Sequence, residues 1–446
     1  MARTLSIGRA RIPRRRRILL VSLLPPENPT SAAGVKQGAA TDGAVSFEHE
    51  ATGEPVSRRT RSRHRRAAIG RLQEEIMLFE IFVRLPAKDI LRCRAVCRSW
   101  RRLASVPDFL IAHHRRQPSL PLVQLYGDIQ RASTKAGLPI LGHGPGRAVL
   151  GLNDYDGFEL KASCDGLLLI SRSGGRFSIC NPVTRQCAPL PCLTTEGRRS
   201  NIKIAALYLY PPTGEYRVMY RIGSHHAKAA ACYILTVGRG GSPRCIGVPS
   251  NTLAIWKAKM TENGVSPINV SPPVVFGGCL HWEPGWLDYD ANDIVVFDTV
   301  AESFRSMCRP PSATSCCTHL CEMEGLIGFS CLDDERTVAR IWVLEDYERE
   351  AWSFKYHVKF PMESLCRYIY AQHLVLSHKG DVLVYSTYTR DMFRCDSTGK
   401  LLEKFSWEPE LQRSLDIIEH RLKESLVEQE FFTKQGAHQS FLFQTL

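Results

Sequence analysis

Residues 72–114, LQEEIMLFEIFVRLPAKDILRCRAVCRSWRRLASVPDFLIAHH, decide how this chain is organised. Four apolar residues at the start of the stretch recur at intervals of four, three and four residues, which is one face of a helix. They are Leu72, Ile76, Phe79 and Val83. The helix should end at Leu85, because a residue that precedes proline avoids the helical region of backbone space. The stretch therefore predicts a short amphipathic helix that stops at Leu85-Pro86.

Two or three further short helices are predicted in the same stretch. Pro86 suits the first turn of a helix, and the apolar stripe after it consists of Cys93, Val96, Cys97, Trp100 and Leu103. The opposite side is basic, with Arg92, Arg94, Arg98, Arg101 and Arg102. Pro107 opens a last short helix with Phe109, Leu110 and Ile111. So small a module cannot bury all of its apolar surface alone, so a partner is expected, and the basic rim suggests an acidic one.

The segments R-L-P-A-K at 84–88 and A-V-C-R-S-W at 95–100 resemble the F-box family. The resemblance implies docking onto the small acidic Skp-family adaptor of cullin–RING (SCF) ubiquitin ligases, and through it onto a cullin. Carried over residue by residue, the adaptor-binding positions are Leu72, Ile76, Leu85, Pro86, Ile90, Leu91, Val96, Cys97 and Trp100. Gln73 stands where the family usually has proline, which removes a preset backbone angle from the first turn and predicts weaker docking.

Residues 1–70 form a basic arm. They hold fourteen Lys and Arg residues and five acidic ones, so they carry nine of the thirteen net positive charges. The arm is interpreted as solvated and disordered, because its sequence between the basic clusters has few aromatic residues and cannot bury enough to fold. The cluster RRTRSRHRR at 58–66 is also typical of a nuclear-localisation or nucleic-acid-binding segment, and an organelle transit peptide is a further alternative. No apolar run approaches the length of about 18 residues that a membrane span needs. We expect a protein of the nucleus and/or cytoplasm without a membrane partner.

From Pro121 onward the sequence is a series of short β-runs separated by Gly, Asn-Pro, Asp and Ser turns. A loose repeat combines a glycine before an apolar run, a strand that ends in Asn or Asp, and a polar turn. Its glycine markers Gly166, Gly278, Gly325 and Gly380 are 112, 47 and 55 residues apart. A four-stranded propeller blade needs about 40–45 residues, so the first gap has room for two blades. The repeat predicts about six blades, with an irregular β-sandwich as the alternative.

The segments SCDGLLLI at 163–170, CNPVTRQ at 180–186 and IVVFDTV at 294–300 resemble the F-box-associated domain of plant F-box proteins. The expected fold class is α+β and multidomain, with a small all-α F-box module followed by an all-β, kelch-like propeller domain. The parts are the arm at 1–70, the F-box at 71–117, the F-box-associated domain at 118–435 and a tail at 436–446. Residues 411–432 carry Leu415, Ile418, Leu422 and Leu426 at helical spacing, which predicts a terminal helix or closing segment.

Sequence motifs of catalysis are missing. The chain has no G-x-S-x-G, P-loop or H-E-x-x-H pattern. The sixteen cysteines are interpreted as free thiols of a reducing compartment, because Cys180, Cys232 and Cys279 lie within apolar runs. The segment CCTHLC at 316–321 lacks the C-x-x-C pair of a structural zinc site, and two acidic clusters, Asp288 to Asp293 and Asp333 to Glu335, are interpreted as solvated turns rather than calcium sites. No catalytic residue, metal or cofactor is expected.

The expected function is that of a non-catalytic substrate receptor in an SCF-type ubiquitin ligase. The F-box would bind the adaptor and the β-domain would bind a protein target. Loop aromatics are candidate target contacts, here Trp282, Trp286 and Tyr289. The alternative is a nucleic-acid-binding or scaffold protein that uses the Arg-rich arm.

Overall fold

Two compact units make up the chain, one spanning Pro25–Gln117 and the other combining Met1–Leu24 with Pro118–Leu446. The computed structural model describes residues 17–22, 76–127, 147–153, 158–172, 175–193, 201–223, 232–247, 272–283, 293–311, 313, 318–323, 325–360, 371–376, 379–386, 392–405 and 415–434. The first unit is helical and the second consists of β-sheets.

The helical unit starts with a π-helical segment, Met77–Ile81, that continues into a single 3-10 turn, Phe82–Arg84. Three α-helices follow: α1 (Ala87–Val96), α2 (Arg98–Leu103) and α3 (Pro107–Arg116). As the sequence predicts, Leu85 is extended before Pro86, with φ −77° and ψ 148°, and Pro107 opens α3.

The apolar residues of the first segment do not share one environment. Leu78, Phe82 and Val83 are buried, whereas Ile76 and Phe79 are exposed. A π-helix forms hydrogen bonds between residues i and i+5, which brings positions such as Leu78 and Val83 to the same side. The regular helical period placed Ile76, Phe79 and Val83 on one face, whereas in the structure Val83 is buried and the other two are exposed.

The apolar stripe from Cys93 to Leu103 is divided between two helices, α1 and α2. Cys97 is extended, with φ −154° and ψ 167°, and separates α1 from α2. Its Sγ atom accepts a hydrogen bond from the backbone N–H of Trp100 at 3.4 Å, so Cys97 caps the N-terminus of α2. This break leaves Val96 at the exposed end of α1.

In its described residues, the second unit has six four-stranded antiparallel sheets, of which five are built from consecutive strands. The first two consist of β4 (Phe158–Cys164), β5 (Leu167–Arg172), β6 (Arg176–Asn181) and β7 (Gln186–Pro189), and of β8 (Asn201–Tyr210), β9 (Glu215–Gly223), β10 (Cys232–Thr236) and β11 (Arg244–Gly247). The third consists of β12 (Val274–Phe276), β13 (Cys279–Trp282), β14 (Ile294–Asp298) and β15 (Ser303–Met307). The last two consist of β16 (Thr318–Met323), β17 (Leu326–Leu332), β18 (Val338–Asp346) and β19 (Ala351–Lys359), and of β20 (Ala371–Val375), β21 (Val382–Ser386), β22 (Met392–Cys395) and β23 (Leu401–Phe405).

The sixth sheet joins strands that are distant in sequence. Its order is β24 (Leu415–Lys423), β2 (Ser119–Gly127), β1 (Arg17–Ser22) and β3 (Arg147–Asn153). Six residues that the sequence analysis assigned to the basic arm are therefore a strand of the β-unit. Of the two alternatives predicted for residues 411–432, the closing segment is confirmed, because strand β24 occupies Leu415–Lys423 in the sixth sheet. The helix is wrong for these residues, and among the described residues the short helix α4, Glu430–Lys434, follows the strand.

Apolar side chains fill the spaces between neighbouring sheets. Clusters join the sheets β4–β7 and β8–β11, β8–β11 and β12–β15, β12–β15 and β16–β19, and β16–β19 and β20–β23. The sixth sheet completes the cycle, because β24 contacts β4 on one side. On the other side, the guanidinium of Arg421 donates hydrogen bonds to the carbonyl oxygens of Val375 and Leu376, at 3.3 and 3.2 Å. Sheets arranged in this cycle form a β-propeller.

The repeat in the sequence corresponds to two recurrent turns. Each of the glycine markers Gly166, Gly278, Gly325 and Gly380 lies in the turn between the first and second strands of its sheet, with φ between 76° and 83°. Only glycine adopts this left-handed conformation without strain. Gly214, with φ 69°, occupies the same turn of the second sheet. It lies inside the 112-residue gap, so that gap contains two blades.

The second recurrent turn joins the third and fourth strands of a sheet. Its first residue is an Asn or Asp whose Oδ1 atom accepts backbone N–H groups two or three residues later, and the four examples are Asn181, Asp298, Asp346 and Asp396. At Asp298, for instance, Oδ1 accepts the N–H groups of Val300 and Ala301, both at 2.8 Å. This hydrogen bonding explains why each repeat has an Asn or Asp at the end of a strand.

Candidate functional site

Two side chains hold the Leu85-Pro86 turn of the helical unit in place. One is His113 on α3, and the other is Gln117, the residue that follows α3. The Nε2–H group of His113 donates to the carbonyl oxygen of Leu85 at 2.8 Å, and the side-chain amide of Gln117 donates to the same oxygen at 3.3 Å. Burial lowers the pKa of His113, which keeps the ring neutral. The carbonyl is thus satisfied from inside the unit, while Pro86 is exposed and the Leu85 side chain is half-buried.

Large apolar side chains remain exposed around this turn in the chain. Five of them lie in the first segment and on α1: Ile76, Phe79, Ile81, Leu91 and Val96. We call these five residues the exposed apolar set. Val96 is 65% exposed and Ile76 is 54% exposed. These exposed fractions are high for large apolar side chains, which are usually buried. A concentration of exposed apolar residues indicates a surface that another protein covers.

The predicted adaptor-binding positions divide into three groups in the structure. Exposed positions are Ile76, Pro86, Leu91, Val96 and Cys97, and half-buried positions are Leu85 and Trp100. Ile90 is fully buried, so its prediction as a surface contact is wrong and its role is in the core of the fold. Leu72, together with Gln73, lies outside the described residues.

Trp100 has a structural role in addition to its partly exposed surface. Its ring packs edge to face against Phe82, with ring centroids 5.1 Å apart, and Phe82 is buried. Aromatic pairs of this geometry stabilise a fold beyond the area that they bury. Trp100 therefore holds α2 against the first segment.

Sequence reasoning missed Phe79 and Ile81 as members of the exposed surface. Phe79 was placed on the apolar helix face but not among the adaptor contacts, and Ile81 was not singled out. The available signal was the density of apolar residues between Ile76 and Val83, which exceeds what one face of a helix can bury. The exposure of each residue depends on the π-helical winding of the segment, and the apolar spacing does not indicate a π-helix.

The basic residues of the helical unit have two different roles. Arg94 and Arg101 are used inside the unit. The Nη2 atom of Arg94 donates to the carbonyl oxygen of Ala104 at 2.7 Å, and Nε of Arg101 donates to that of Arg94 at 3.1 Å. These bonds fix the end of α2 against α1. Arg98 and Arg102, by contrast, are exposed and give the surface of α2 positive charge.

Of the three candidate target contacts in the β-unit, only Trp282 lies in the described residues. Trp282 is only 8% exposed and lies in the cluster between the second and third sheets, where its Nε1–H donates to the carbonyl oxygen of Ala205 at 3.4 Å. A direct contact between Trp282 and a target is therefore contradicted. Trp286 and Tyr289 lie outside the described residues.

The acidic turn at Asp333 satisfies its own carboxylate. Oδ1 of Asp333 accepts the backbone N–H groups of Thr337 and Val338, at 2.6 and 3.0 Å, and Oδ2 accepts the hydroxyl of Thr337 at 2.9 Å. These hydrogen bonds lower the pKa of the carboxyl although burial acts against them. The hydrogen bonds support the interpretation of this cluster as a turn. Asp288 and Asp290 lie outside the described residues.

Cysteine and histidine side chains were considered in the sequence as possible metal ligands. Cys180, Cys232 and Cys279 are buried free thiols, as their apolar surroundings in the sequence predicted. Within the described ranges, no three His, Cys, Asp or Glu residues are arranged to hold a metal ion, and Cys316 and Cys317 lie outside these ranges. The helices described here are all too short or too polar to cross a membrane.

Comparison with known proteins finds two family models in the order of the two units. Residues 75–116 match an F-box-like model, and residues 152–395 match the F-box associated beta propeller domain. Among curated proteins, F-box protein At5g49610 of Arabidopsis thaliana is 24% identical over 301 residues, which are 64% of this chain and 78% of the relative. F-box protein CPR1 of the same plant is 22% identical over 333 residues, 67% of this chain and 75% of the relative. The chain is thus a member of the F-box protein family whose F-box is followed by an F-box-associated β-propeller domain.

Proposed function

We propose that this protein is the substrate receptor of an SCF-type ubiquitin ligase, and that its F-box binds a Skp-family adaptor. The exposed apolar set carries the proposal, because it leaves uncovered the kind of surface that an F-box gives to its adaptor. The exposed arginines of α2 add positive charge, which complements a small acidic partner. The propeller binds the protein target.

The proposed mechanism is positional and requires no catalytic side chain in this chain. The F-box holds the protein on the adaptor and, through it, on the cullin, while the propeller holds the target. Joining the two binding sites in one chain raises the effective concentration of the target near the ubiquitin-charged enzyme. The protein is therefore proposed to be a non-catalytic subunit of the ligase.

Co-precipitation of the full chain with a purified Skp-family adaptor tests the proposal. We expect the wild type to capture the adaptor and the double variant Leu85→Ala, Pro86→Ala to lose it, since this variant alters the turn at the start of α1. Circular dichroism should show that the β-unit of the variant remains folded. Undiminished capture by the folded double variant would contradict the proposal.

A second experiment compares the proteins captured by the wild type and by an F-box deletion in order to identify the target. Affinity capture followed by mass spectrometry, with the wild type and a variant that lacks the F-box, separates the ligase subunits from target proteins. Ligase subunits should be lost with the F-box, whereas targets bound by the propeller should remain. Retention of the adaptor and cullin by the F-box deletion would contradict the division of labour.

We also propose that the protein acts in the nucleus and/or the cytoplasm. Support comes from the arginine cluster at 58–66, which is typical of a nuclear-localisation segment. A fluorescent fusion of the full chain should lose nuclear signal when arginines 58, 59, 61, 63, 65 and 66 are replaced by glutamine. An unchanged distribution would contradict a role of the cluster in localisation.

A further inference from the structure

Two cysteines face each other in the first sheet of the propeller. In the pairing register of β6 with β7, Cys180 lies directly opposite Cys187, and the two side chains are hydrogen-bonded to each other. Both residues are thiols in this structure. Among the pairing registers of the described strands, only this one sets a cysteine opposite another cysteine. The strand pairing therefore brings these two sulfur atoms together.

The backbone hydrogen bonds between β6 and β7 determine the spacing of this pair. The N–H of Leu190 donates to the carbonyl oxygen of Phe177 at 2.9 Å, so these residues form a hydrogen-bonded pair. Hydrogen-bonded and non-hydrogen-bonded pairs alternate along antiparallel strands, so Cys180 and Cys187 form a non-hydrogen-bonded pair, with Cα atoms about 4.5 Å apart. A disulfide needs a Cα separation of about 4.4–6.8 Å. The pair can therefore be joined without separating the strands.

Strand β7 gives a small molecule access to this pair. It is the last strand of its sheet, which has the order β4-β5-β6-β7, and it has four residues. Segments with so few backbone hydrogen bonds open locally at a low cost in free energy. Cys180 is fully buried, whereas Cys187 on β7 is 7% exposed. A small oxidant therefore reaches the sulfur of Cys187 first.

The surroundings of Cys180 make it the second sulfur to react. Burial, then the hydrogen bond with Cys187, raises the pKa of the Cys180 thiol, so this group is neutral at pH 7. The thiolate is the form of cysteine that reacts with oxidants. Cys180 is thus protected from direct oxidation, but it lies in position to attack an oxidised Cys187.

The two cysteines flank a turn that takes part in closing the propeller. Oδ1 of Asn181 accepts the backbone N–H groups of Val183 and Thr184, at 2.9 and 3.2 Å. The Nδ2–H group of Asn181 donates to the carbonyl oxygen of Ser425, which lies after β24 of the sixth sheet. A covalent bond at the base of this turn would restrict the turn and its contact with the sixth sheet.

We propose that Cys180 and Cys187 form a reversible disulfide in the presence of hydrogen peroxide, and that this disulfide fixes the Asn181 turn. Peroxide first oxidises the Cys187 thiol to a sulfenic acid and is itself reduced to water. The sulfur of Cys180 then displaces the hydroxyl group, which leaves as water with the Cys180 proton. A dithiol reductant restores both thiols and becomes a disulfide itself. The proposal does not depend on adaptor docking.

Peptide mapping of the full chain tests this inference. The protein is treated with hydrogen peroxide at pH 7, alkylated with N-ethylmaleimide under denaturing conditions, and digested with trypsin without reduction. Cleavage after arginines 176, 185 and 198 places Cys180 in peptide 177–185 and Cys187 in peptide 186–198. We expect most of these two peptides to be recovered as one linked species, which dithiothreitol separates.

Cys192 supplies the matched control, because it lies in the same tryptic peptide as Cys187 and is exposed. Cys192→Ser should still give the linked species, whereas Cys187→Ser should abolish it. Recovery of Cys180 and Cys187 as alkylated thiols, while other cysteines are oxidised, would overturn the proposal, and so would a link that disappears in Cys192→Ser. The wild type and Cys192→Ser decide the test if Cys187→Ser does not fold.

A second readout tests the effect of the disulfide on the turn. A disulfide that closes the loop from residue 180 to residue 187 should raise the unfolding temperature of the wild type by about 3 °C. Hydrogen exchange of the Val183 and Thr184 amides should become slower. Dithiothreitol should reverse both changes, and Cys187→Ser should show neither. A disulfide that forms but leaves the exchange of these amides unchanged would contradict the fixation of the turn.

Discussion

A Cβ atom added to Gly166 would lie 2.6 Å from the Cβ atom of Ser425 and 2.7 Å from the carbonyl oxygen of Lys423. The turn between β4 and β5 therefore meets the chain directly after β24, so the sheet that begins the series packs against the strand that completes the ring. Asn181 strengthens the same junction, because its Nδ2–H donates to the carbonyl oxygen of Ser425 at 3.1 Å. Closure of the propeller depends on this contact between sequence-distant segments.

Gly166→Ala should destabilise the propeller by about 3 kcal/mol, because it combines a strained positive φ with a steric clash. Gly214 is the matched control, since it occupies the equivalent turn with φ 69° and nothing lies within 4 Å of an added Cβ. Gly214→Ala should lose only about 1 kcal/mol. Urea denaturation of both variants measures the difference. Equal losses would show that the contact with Ser425 does not stabilise the ring.

His113→Ala should destabilise the helical unit by about 1–3 kcal/mol, because it removes a buried donor to the Leu85 carbonyl oxygen. Adaptor binding should weaken as well, since the Leu85-Pro86 turn loses part of its support. Arg115→Ala, an exposed change on the same helix, should alter stability by less than about 0.5 kcal/mol. Hydrogen exchange of the α1 amides reports on this unit specifically. Unchanged protection in His113→Ala would contradict the role assigned to His113.

The propeller should lose stability as the pH falls from 6.5 towards 4. Burial lowers the pKa values of His281, His319 and His420 to about 4 and that of His373 to about 3, against an ordinary value of 6.5. In this window the unfolded chain binds more protons than the folded one, so each histidine can lower stability by up to about 1.4 kcal/mol per pH unit. Denaturant titrations at pH 7, 6 and 5 measure the slope.

Two histidine variants test whether buried histidines cause this pH dependence of stability. His319→Gln should flatten the pH dependence, because it removes one buried titrating group. His357→Gln changes an exposed residue of β19 and should leave the dependence as in the wild type. A wild-type stability that does not change between pH 6.5 and 5 would contradict the assignment of these histidines as buried and neutral.

The propeller could be predicted from local signals, and its closure could not. Gly166 and Asp298 mark turns whose geometry requires glycine or an Asx side chain, so their recurrence in the sequence reflects the blades directly. Strand β1, in contrast, owes its place to pairing with β2 and β3, which are about a hundred or more residues away. For the segment of β24, a helix was predicted as an alternative to a closing segment, because the register shift of this strand disturbs the two-residue alternation by which strands are recognised.

The candidate site could be located from the sequence but not resolved residue by residue. The R-L-P and A-V-C-R-S-W segments identified the module, and the turn at Leu85 followed from Pro86. The exposure of individual side chains depended on the π-helical segment and on the break at Cys97, neither of which follows from apolar spacing. This is why Ile90 was assigned to the surface although it is fully buried, and why Phe79, which is 41% exposed, was not among the predicted adaptor contacts.

The affinity of the full chain for a purified Skp-family adaptor, compared between Val96→Asp and Val275→Asp, tests the central claim most directly. Both valines are exposed, at 65% and 54%, but Val96 belongs to the exposed apolar set and Val275 lies on β12 of the propeller. A charge in the centre of an apolar interface should weaken binding at least about a hundredfold, so Val96→Asp should lose the adaptor while Val275→Asp retains wild-type affinity. Equal affinities of the two folded variants would contradict docking through this surface.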